Sequence, residues 1–411
     1  MSAAFTVAGG ELPRVEISTR AARRIAAGAL WVYSNEVEGR DDPGPAAYWC
    51  RFAREKRVLA TGYYNRHSLI AGRVVGPPEA ADLEGLLVER LRRAIRRRAG
   101  RPAGEAARIV FSESDGLPGL VVDHFPPFAV LQSTTAGMDL ALPFLEKRLP
   151  ELCAELFGAP LQGLVLRCDS GIRQLEAVEP FRRIAFGDPA AIAAAEVLED
   201  GVRYAADLAS GQKTGFFLDQ RDNRARFGQL IREVPAARVL DLFCYSGGWG
   251  LRALREGAAK VTFVDQSADA LRLVERGMQL NGMAPGQGEL HVGDVFDFLE
   301  RAQGGYDAVV TDPPAFAKSR KHLAKALKAY GKLNRLAWRQ LKPGGVLFAC
   351  SCSYHLNETD LLNLLSEAVG REGGAAHVIH RGMQAADHPV LLSMPETCYL
   401  KCVGLRKLTT P

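Results

Sequence analysis

The chain has 411 residues, 47% hydrophobic and 24% charged, which is longer than one typical domain and has the composition of an ordinary globular protein with enough apolar content for real cores. Net charge is +5, but residues 1–110 hold 19 Lys+Arg against 12 Asp+Glu while the remaining 301 hold 33 against 35, so the basicity sits at the front and suggests an anionic partner such as nucleic acid. No apolar run reaches the roughly 18–20 residues of a membrane span, and the opening MSAAFTVAGG lacks the basic start and apolar core of a secretory leader, so no membrane association and a cytoplasmic location are expected.

Residues 13–75 alternate short apolar runs with turn residues. VEIST (15–19), YWCRF (48–52), VLATGYY (58–64) and LIAGRVV (69–75) predict strands, and 20–29 predicts a helix. A small β-rich module is expected, closed by the breaker Gly76-Pro77-Pro78. Over 83–99, Leu83, Leu86, Leu87, Leu91 and Ile95 recur at three- and four-residue spacing and predict a helix. Its other face carries Arg90, Arg93, Arg96 and Arg97, which suit phosphate contact as well as plain solvent exposure. RIVFSESDGLPGLVVDHF (108–125) reads as strand, turn and strand about Asp115-Gly116, FAVLQST (128–134) as another strand, 137–157 as one helix and LQGLVLRC (161–168) as a strand. Residues 80–190 are thus a middle α+β domain. An Ala-rich connector at 186–195 leads to a predicted hairpin, EVLEDGVRYAAD (196–207).

From 238 the texture changes. RVLDLF (238–243), KVTFVD (260–265), ELHVGD (289–294), YDAVVTD (306–312) and GGVLFACS (344–351) read as strands, each followed by a helix, and CYLKCVGLR (398–406) as a last strand. Alternating strand and helix implies a parallel sheet with helices on both faces, with ligands at the carboxyl ends of the strands.

Those ends are acidic. Asp241 precedes a glycine turn, Asp265 ends the second strand, Asp294 the third and Asp312 the fourth. The glycines let the backbone approach a ligand, although Gly248-Trp249-Gly250 comes too late for a dinucleotide fingerprint. A single Asp after a strand is ordinarily a helix cap. Four in successive units favour a cationic ligand without phosphate. Asp265 would accept from ribose hydroxyls and Asp294 from an adenine amino group.

This constellation resembles the class I S-adenosylmethionine methyltransferases, which implies an α/β, Rossmann-like fold with a mixed sheet and helices on both faces. The resemblance identifies DLFCYSGGWG (241–250) as their first motif, which implies Asp241, Phe243, Tyr245 and Gly247 as cofactor residues beside Asp265, Asp294 and Asp312, with S-adenosyl-L-methionine as cofactor and no metal. In GQKTGFFLDQR (211–221), Gly211 and Gly215 permit a tight turn. Phe217 and Asp219, two apart, would face one way on a strand, Asp219 toward the methionine ammonium and Phe217 against the cofactor. A hairpin that merely covers the sheet edge fits the same residues.

Motif Asp312-Pro313-Pro314-Ala315 lacks an aromatic in the place that suits methylation of an exocyclic nitrogen; the ring is displaced to Phe316. The fifth strand offers another route. A thiolate adding at carbon 6 of a pyrimidine makes carbon 5 nucleophilic. Cys350 and Cys352 share one strand face by spacing, and Cys352, nearer the carboxyl end, is the candidate nucleophile, with Asp312 bonding the base; buried core cysteines are the plain alternative. The remaining cysteines, Cys50, Cys153, Cys168, Cys244, Cys398 and Cys402, form no CxxC pair, as befits reduced thiols rather than disulfides or a zinc site.

The whole chain resembles the bacterial 23S rRNA cytosine-C5 methyltransferases of the RlmI type, at GALWVYSNE (28–36), SESDGLPGLVVDHF (112–125), SGQKTGFFLDQRDNR (210–224), DLFCYSGGWG, TDPPAFAKS (311–319), SCSY (351–354) and DHPVLLSMPETCYLKC (387–402). That family implies a PUA-like RNA-binding domain at 1–76, the middle domain at 80–190, a class I methyltransferase domain at 196–411, Cys352 as nucleophile, and RNA, specifically 23S rRNA, as partner. A homodimer is left open. Uridine-C5 or base-amino methylation and a non-catalytic RNA-binding or assembly role are the alternatives. Many RNA 5-methylcytosine enzymes place a second cysteine after the proline of the fourth-strand motif; that position is Ala315 here, so the base that removes the carbon 5 proton is open.

Overall fold

The computed structural model describes residues 11–39, 45–102, 104–316 and 320–408. The first ten residues and the AKS that ends TDPPAFAKS lie outside them. The chain divides into two compact units. Residues 1–195, 207–215 and 387–397 form the first; 196–206, 216–386 and 398–411 form the second.

Unit 1 holds two five-stranded sheets. The first contains β1 (Arg14–Glu16), β2 (Trp31–Val32), β3 (Ala47–Arg54), β4 (Arg57–Asn65) and β5 (Gly72–Gly76), with α1 (Thr19–Ala26). Its order is β1-β3-β4-β5-β2. VEIST yields only a three-residue strand because Ser18 turns the chain: its hydroxyl accepts the Ala21 amide and caps α1. The second sheet follows α2 (Leu83–Arg96) and contains β6 (Ala107–Phe111), β7 (Leu120–Phe125), β8 (Phe128–Ser133), β9 (Gly163–Cys168) and β10 (Phe181–Phe186). It is ordered β10-β9-β8-β7-β6, antiparallel except for β8 and β9. The single helix expected over 137–157 is two, α3 (Ala136–Asp139) and α4 (Leu142–Phe157), since Pro143 has no amide proton and starts a new first turn. A short α5 (Pro189–Ala193) ends this part. Leu83, Leu87, Leu91 and Ile95 of α2 pack into one core with Leu145, Leu149 and Leu152 of α4. Leu69, Ile172 and Leu175 stand exposed around a cavity of about 650 Å³ in this unit.

Unit 2 opens with the hairpin β11 (Glu196–Glu199) and β12 (Val202–Ala205), then α6 (Arg221–Arg232). Five parallel strands follow with their helices: β13 (Arg238–Leu242), α7 (Gly248–Arg255), β14 (Lys260–Asp265), α8 (Ala268–Leu280), β15 (Gly288–Val292), α9 (Val295–Arg301), β16 (Tyr306–Thr311), α10 (Leu323–Arg339) and β17 (Leu341–Ser351). After α11 (Glu358–Arg371), β18 (Ala376–Gly382) and β19 (Lys401–Lys407) complete a seven-stranded sheet of order β15-β14-β13-β16-β17-β19-β18. β19 pairs antiparallel with both β17 and β18, so the sheet is mixed, as the methyltransferase resemblance implies, and not purely parallel as the alternation of strand and helix alone suggests. Val and Leu runs fill the strands because both faces are covered.

Two local expectations fail here. The stretch 211–221 carries no strand. Phe217 starts a single 3-10 turn, Leu218–Gln220, that runs into α6. β17 ends at Ser351, so Cys352 lies beyond the strand and shares no strand face with Cys350.

Candidate active site

Register places the site. Leu242 of β13 lies opposite Val264 of β14 and Thr311 of β16, and Thr311 lies opposite Ala349 of β17. The next residues, Phe243, Asp265, Asp312 and Cys350, therefore emerge side by side. From β13 the chain builds first toward β14 and β15, then crosses to β16 and β17, which makes this edge the topological switch point where such sheets bind ligands.

Asp241 is fully buried; its Oδ2 accepts the Gly250 amide at 2.9 Å, while Oδ1 has no donor among the described residues. Burial, reinforced by the charges of Asp312 and Asp265 and opposed by the Gly250 amide, pushes its pKa up to about 8. A buried acceptor without a donor, beside two further carboxylates, fits a cationic group. S-adenosylmethionine carries two, the ammonium and the sulfonium, and no phosphate. Gly250 cannot be larger, because a Cβ there would sit 2.1 Å from the Phe263 ring. That close approach brings α7 down onto the sheet.

Asp265 accepts from the Tyr245 amide at 3.0 Å and the Ser267 amide at 2.9 Å, one on each oxygen. Each oxygen keeps a second lone pair, the pattern needed to receive two hydroxyl donors. Asp294 is the cap of α9: its Oδ1 accepts from Phe296 at 2.8 Å and Asp297 at 3.2 Å. The plain cap reading thus holds for this residue, but Asp294 is exposed and its Oδ2 takes no bond among the described residues, so capping leaves one oxygen for a ligand.

The turn after β13 is strained. Phe243 (φ 59) and Tyr245 (φ 48) both take the left-handed conformation, at a cost of about 1–2 kcal/mol each. Gly247 takes it at φ 77 as the residue before α7. The Phe217 ring meets the Tyr245 ring edge-on at 5.4 Å. Phe217 therefore reaches the turn from the end of a loop, not from a strand face. Asp219 is buried in the 3-10 turn, and its Oδ2 accepts the Tyr399 hydroxyl at 2.6 Å.

Asp312 is held by residues that sequence reading did not single out. Gln220 Nε2 donates to its two oxygens at 3.0 and 3.1 Å, and Trp249 Nε1 donates to Oδ2 at 3.0 Å. Gln220 Oε1 accepts from Asn223 at 2.8 Å, and Asn223 Oδ1 meets His380 Nε2 at 2.9 Å. This chain fixes the amide of Gln220 with its nitrogen toward Asp312. Burial lowers the His380 pKa, which favours the neutral ring. Trp249 and Gln220 lay inside quoted motifs; nothing in their spacing announced a contact with Asp312.

The two cysteines of ACSC part company. Cys350 is buried, with Sγ 3.3 Å from Cys402 Sγ across β17 and β19, and burial pushes its pKa well up. Cys352 is half-buried just past the strand end. Ser351 and Ser353 on either side are fully buried, and each meets the Tyr330 hydroxyl at 3.0 Å. Phe316 packs on Tyr330 at 4.7 Å between ring centroids and faces Phe243 at 6.4 Å.

Among the described residues no group of three or more His, Cys, Asp or Glu could hold a metal, and no helix is long and apolar enough to cross a membrane.

Comparison with known proteins bears on this geometry. The family model for S-adenosylmethionine-dependent methyltransferase matches residues 178–400, and that for a PUA-like domain matches 15–76. Ribosomal RNA large subunit methyltransferase I of Aeromonas hydrophila is 32% identical over 385 residues, 92% of this chain and 94% of that protein. Ribosomal RNA large subunit methyltransferase of Deinococcus radiodurans is 35% identical over 412 residues, 96% of this chain and 97% of that protein. A solved methyltransferase, SMU.776, complexed with SAH, superposes with a TM-score of 0.79 at 19% identity, covering 96% of this chain and 100% of its own; at that identity it attests the fold. The chain belongs to the S-adenosylmethionine-dependent methyltransferases, in the same family as these ribosomal RNA large subunit enzymes, and its cofactor is S-adenosylmethionine.

Proposed function

We propose that this methyltransferase acts on ribosomal RNA of the large subunit and methylates carbon 5 of a cytosine in 23S rRNA, with Cys352 as nucleophile. The names of relatives aligned over more than nine-tenths of the chain support the RNA class. The observation that carries the chemistry is the contrast at the end of β17: Cys350 is sealed in the core, whereas Cys352 is reachable and lies two residues beyond the strand position beside Asp312.

S-adenosylmethionine, when bound, supplies an electrophilic methyl group. Asp219 and Asp241 would hold its ammonium end, Asp265 the ribose and Asp294 the adenine amino group. Phe217, Phe243 and Tyr245 would wall the pocket around the turn at Gly247. Asp312, kept in place by Gln220 and Trp249, would accept from the base and orient it. The Cys352 thiolate would add to carbon 6, forming an S–C bond and moving the π pair to carbon 5. Carbon 5 would then take the methyl group through that pair, while the methyl–sulfonium bond would break and its electrons stay on sulfur, leaving S-adenosylhomocysteine as a neutral thioether. Loss of the carbon 5 proton to a base expels the sulfur and restores the ring. Position 315 after the prolines is Ala, and the displaced Phe316 packs on Tyr330, which weighs against methylation of an exocyclic nitrogen.

Cys352→Ala is the test. It should abolish methylation of large-subunit rRNA and the covalent complex with RNA containing 5-fluorocytidine, while S-adenosylmethionine still binds by calorimetry. Full activity in this variant would exclude the thiol route. Mass mapping of rRNA from cells lacking the protein should show a lost 5-methylcytosine; a lost 5-methyluridine or N-methyl base would instead identify a different target.

A further inference from the structure

Lys401 is the first residue of β19 and is nine-tenths buried. Its Nζ donates to the Ser353 carbonyl at 2.7 Å and to the Tyr399 carbonyl at 2.9 Å. Among the described residues it forms no ion pair. An ammonium in such a place loses hydration that two neutral carbonyls only partly offset. Fold stability alone would be served as well by an apolar side chain, so the charge itself calls for a reason.

Its position supplies one. Lys401 lies directly opposite Ser351 in the β17–β19 register, and its ammonium grips the carbonyl of Ser353. Cys352 is the residue between those two points. The ionisable groups that interact with Lys401 and its neighbours include Tyr330 from α10, Asp360 from α11, Cys398 from the segment before β19, and Asp312 beside Cys350. None of these carries positive charge, which Lys401 supplies. Tyr330 touches both flanking serines, so its hydroxyl fixes the backbone without supplying charge. Burial pulls the Lys401 pKa below its ordinary value, and the negative forms of Cys352, Cys398 and Asp360 oppose that pull.

We propose that Lys401 is the positioning and charge-compensating residue for Cys352, clamping the turn after β17 and holding the thiol in its ionised form. The inference rests on Cys352 being the nucleophile. The thiol proton leaves to solvent before the base arrives, the ammonium stays protonated, and the resulting thiolate carries the electron pair that forms the bond to carbon 6.

The test needs no RNA. The full chain is alkylated with iodoacetamide across pH 5.5–10, and the rate at Cys352 is read by peptide mass spectrometry. Lys401→Met should shift the inflection upward by about one pH unit or more, roughly tenfold less thiolate at neutral pH. Lys401→Arg should restore most of the shift because the charge returns, whereas Lys401→Gln, a neutral donor, should not. An unchanged inflection in folded Lys401→Met, or in Lys401→Gln if the Met variant does not fold, overturns the proposal. Equal shifts for Arg and Gln would also overturn it, since that pattern belongs to packing alone. Failure of the nucleophile reading appears separately, as retained methylation in Cys352→Ala.

Discussion

A buried carboxyl with one oxygen on the Gly250 amide and the other without a donor has no reason to ionise until a cation reaches it. Asp241 is in that condition, with its pKa raised to about 8. An aspartate in an unfolded chain titrates near 3.9. Because the folded value is the higher one, this group's contribution to stability is fully present below about pH 4 and is lost as pH rises through about 8. Binding of a cation should expel the proton, so S-adenosylmethionine affinity should rise with pH up to about 8 and then level off. Calorimetry in buffers of different ionisation enthalpy should detect the released proton. Asp241→Asn should remove the slope and flatten the pH dependence of thermal stability in the cofactor-free protein; an unaltered slope would show that Asp241 is not the group that titrates. At this scale the sequence makes part of the candidate site legible. Asp241, Asp265 and Asp312 could be read because a strand end is visible in sequence. Gln220 and Trp249 could not, since their contacts with Asp312 span 92 and 63 positions and follow from the closed sheet alone. Asp219 was named but its hydroxyl partner Tyr399, 180 positions away, was not.

Helix α6 shows why some elements escape a reading by apolar period. Its sequence, RDNRARFGQLIR, buries Arg221, Asn223 and Arg224 together with Phe227 and Leu230. Polar residues thus occupy positions that a hydrophobic pattern reserves for aliphatic ones. The reason lies in β11. Glu199, 1% exposed, takes both arms of Arg224 at 2.8 and 2.6 Å, with Arg221 Nε at 3.5 Å. The Arg224 guanidinium also lies 4.8 Å over the Phe216 ring. Removing one partner strands a buried charge, so Glu199→Leu should destabilise unit 2 by about 3–5 kcal/mol. Replacing both, with Glu199→Leu and Arg224→Met together, should recover a large part of that loss. Urea denaturation of the single and double variants gives the coupling, and additive effects would contradict a direct pair. β18 escaped for a related reason: AHVIHRG sits at the sheet edge, mostly outside the core, and carries two histidines and an arginine. The inner strands β13, β14, β16 and β17 were plain because burial on both faces demands nearly continuous apolar runs.

For the molecule as a whole, the surplus of positive charge in residues 1–110 is a statement about partners more than about fold. Many of those arginines are already committed inside unit 1. Arg92 pairs with Glu155, Arg98 with Asp115, and Arg73 with Glu176. These pairs hold α2, the sheets and their loops together, so charge-reversal there would test folding instead of binding. Arg93 and Arg96 differ. Both are exposed on α2, and neither makes a direct ion pair among the described residues. If unit 1 grips an RNA backbone through this face, each arginine that meets a phosphate releases a counterion, worth roughly 0.7–0.9 in the slope of log affinity against log salt. Arg93→Glu with Arg96→Glu should therefore weaken binding to large-subunit rRNA fragments and make the salt slope shallower by about 1.4–1.8. Cofactor binding should be unchanged, because the acidic strand ends belong entirely to unit 2. Filter binding at several salt concentrations measures the slope. A uniform slope with undiminished affinity would mean that this arginine face is only a solvated helix surface, and that the RNA is held elsewhere on the chain.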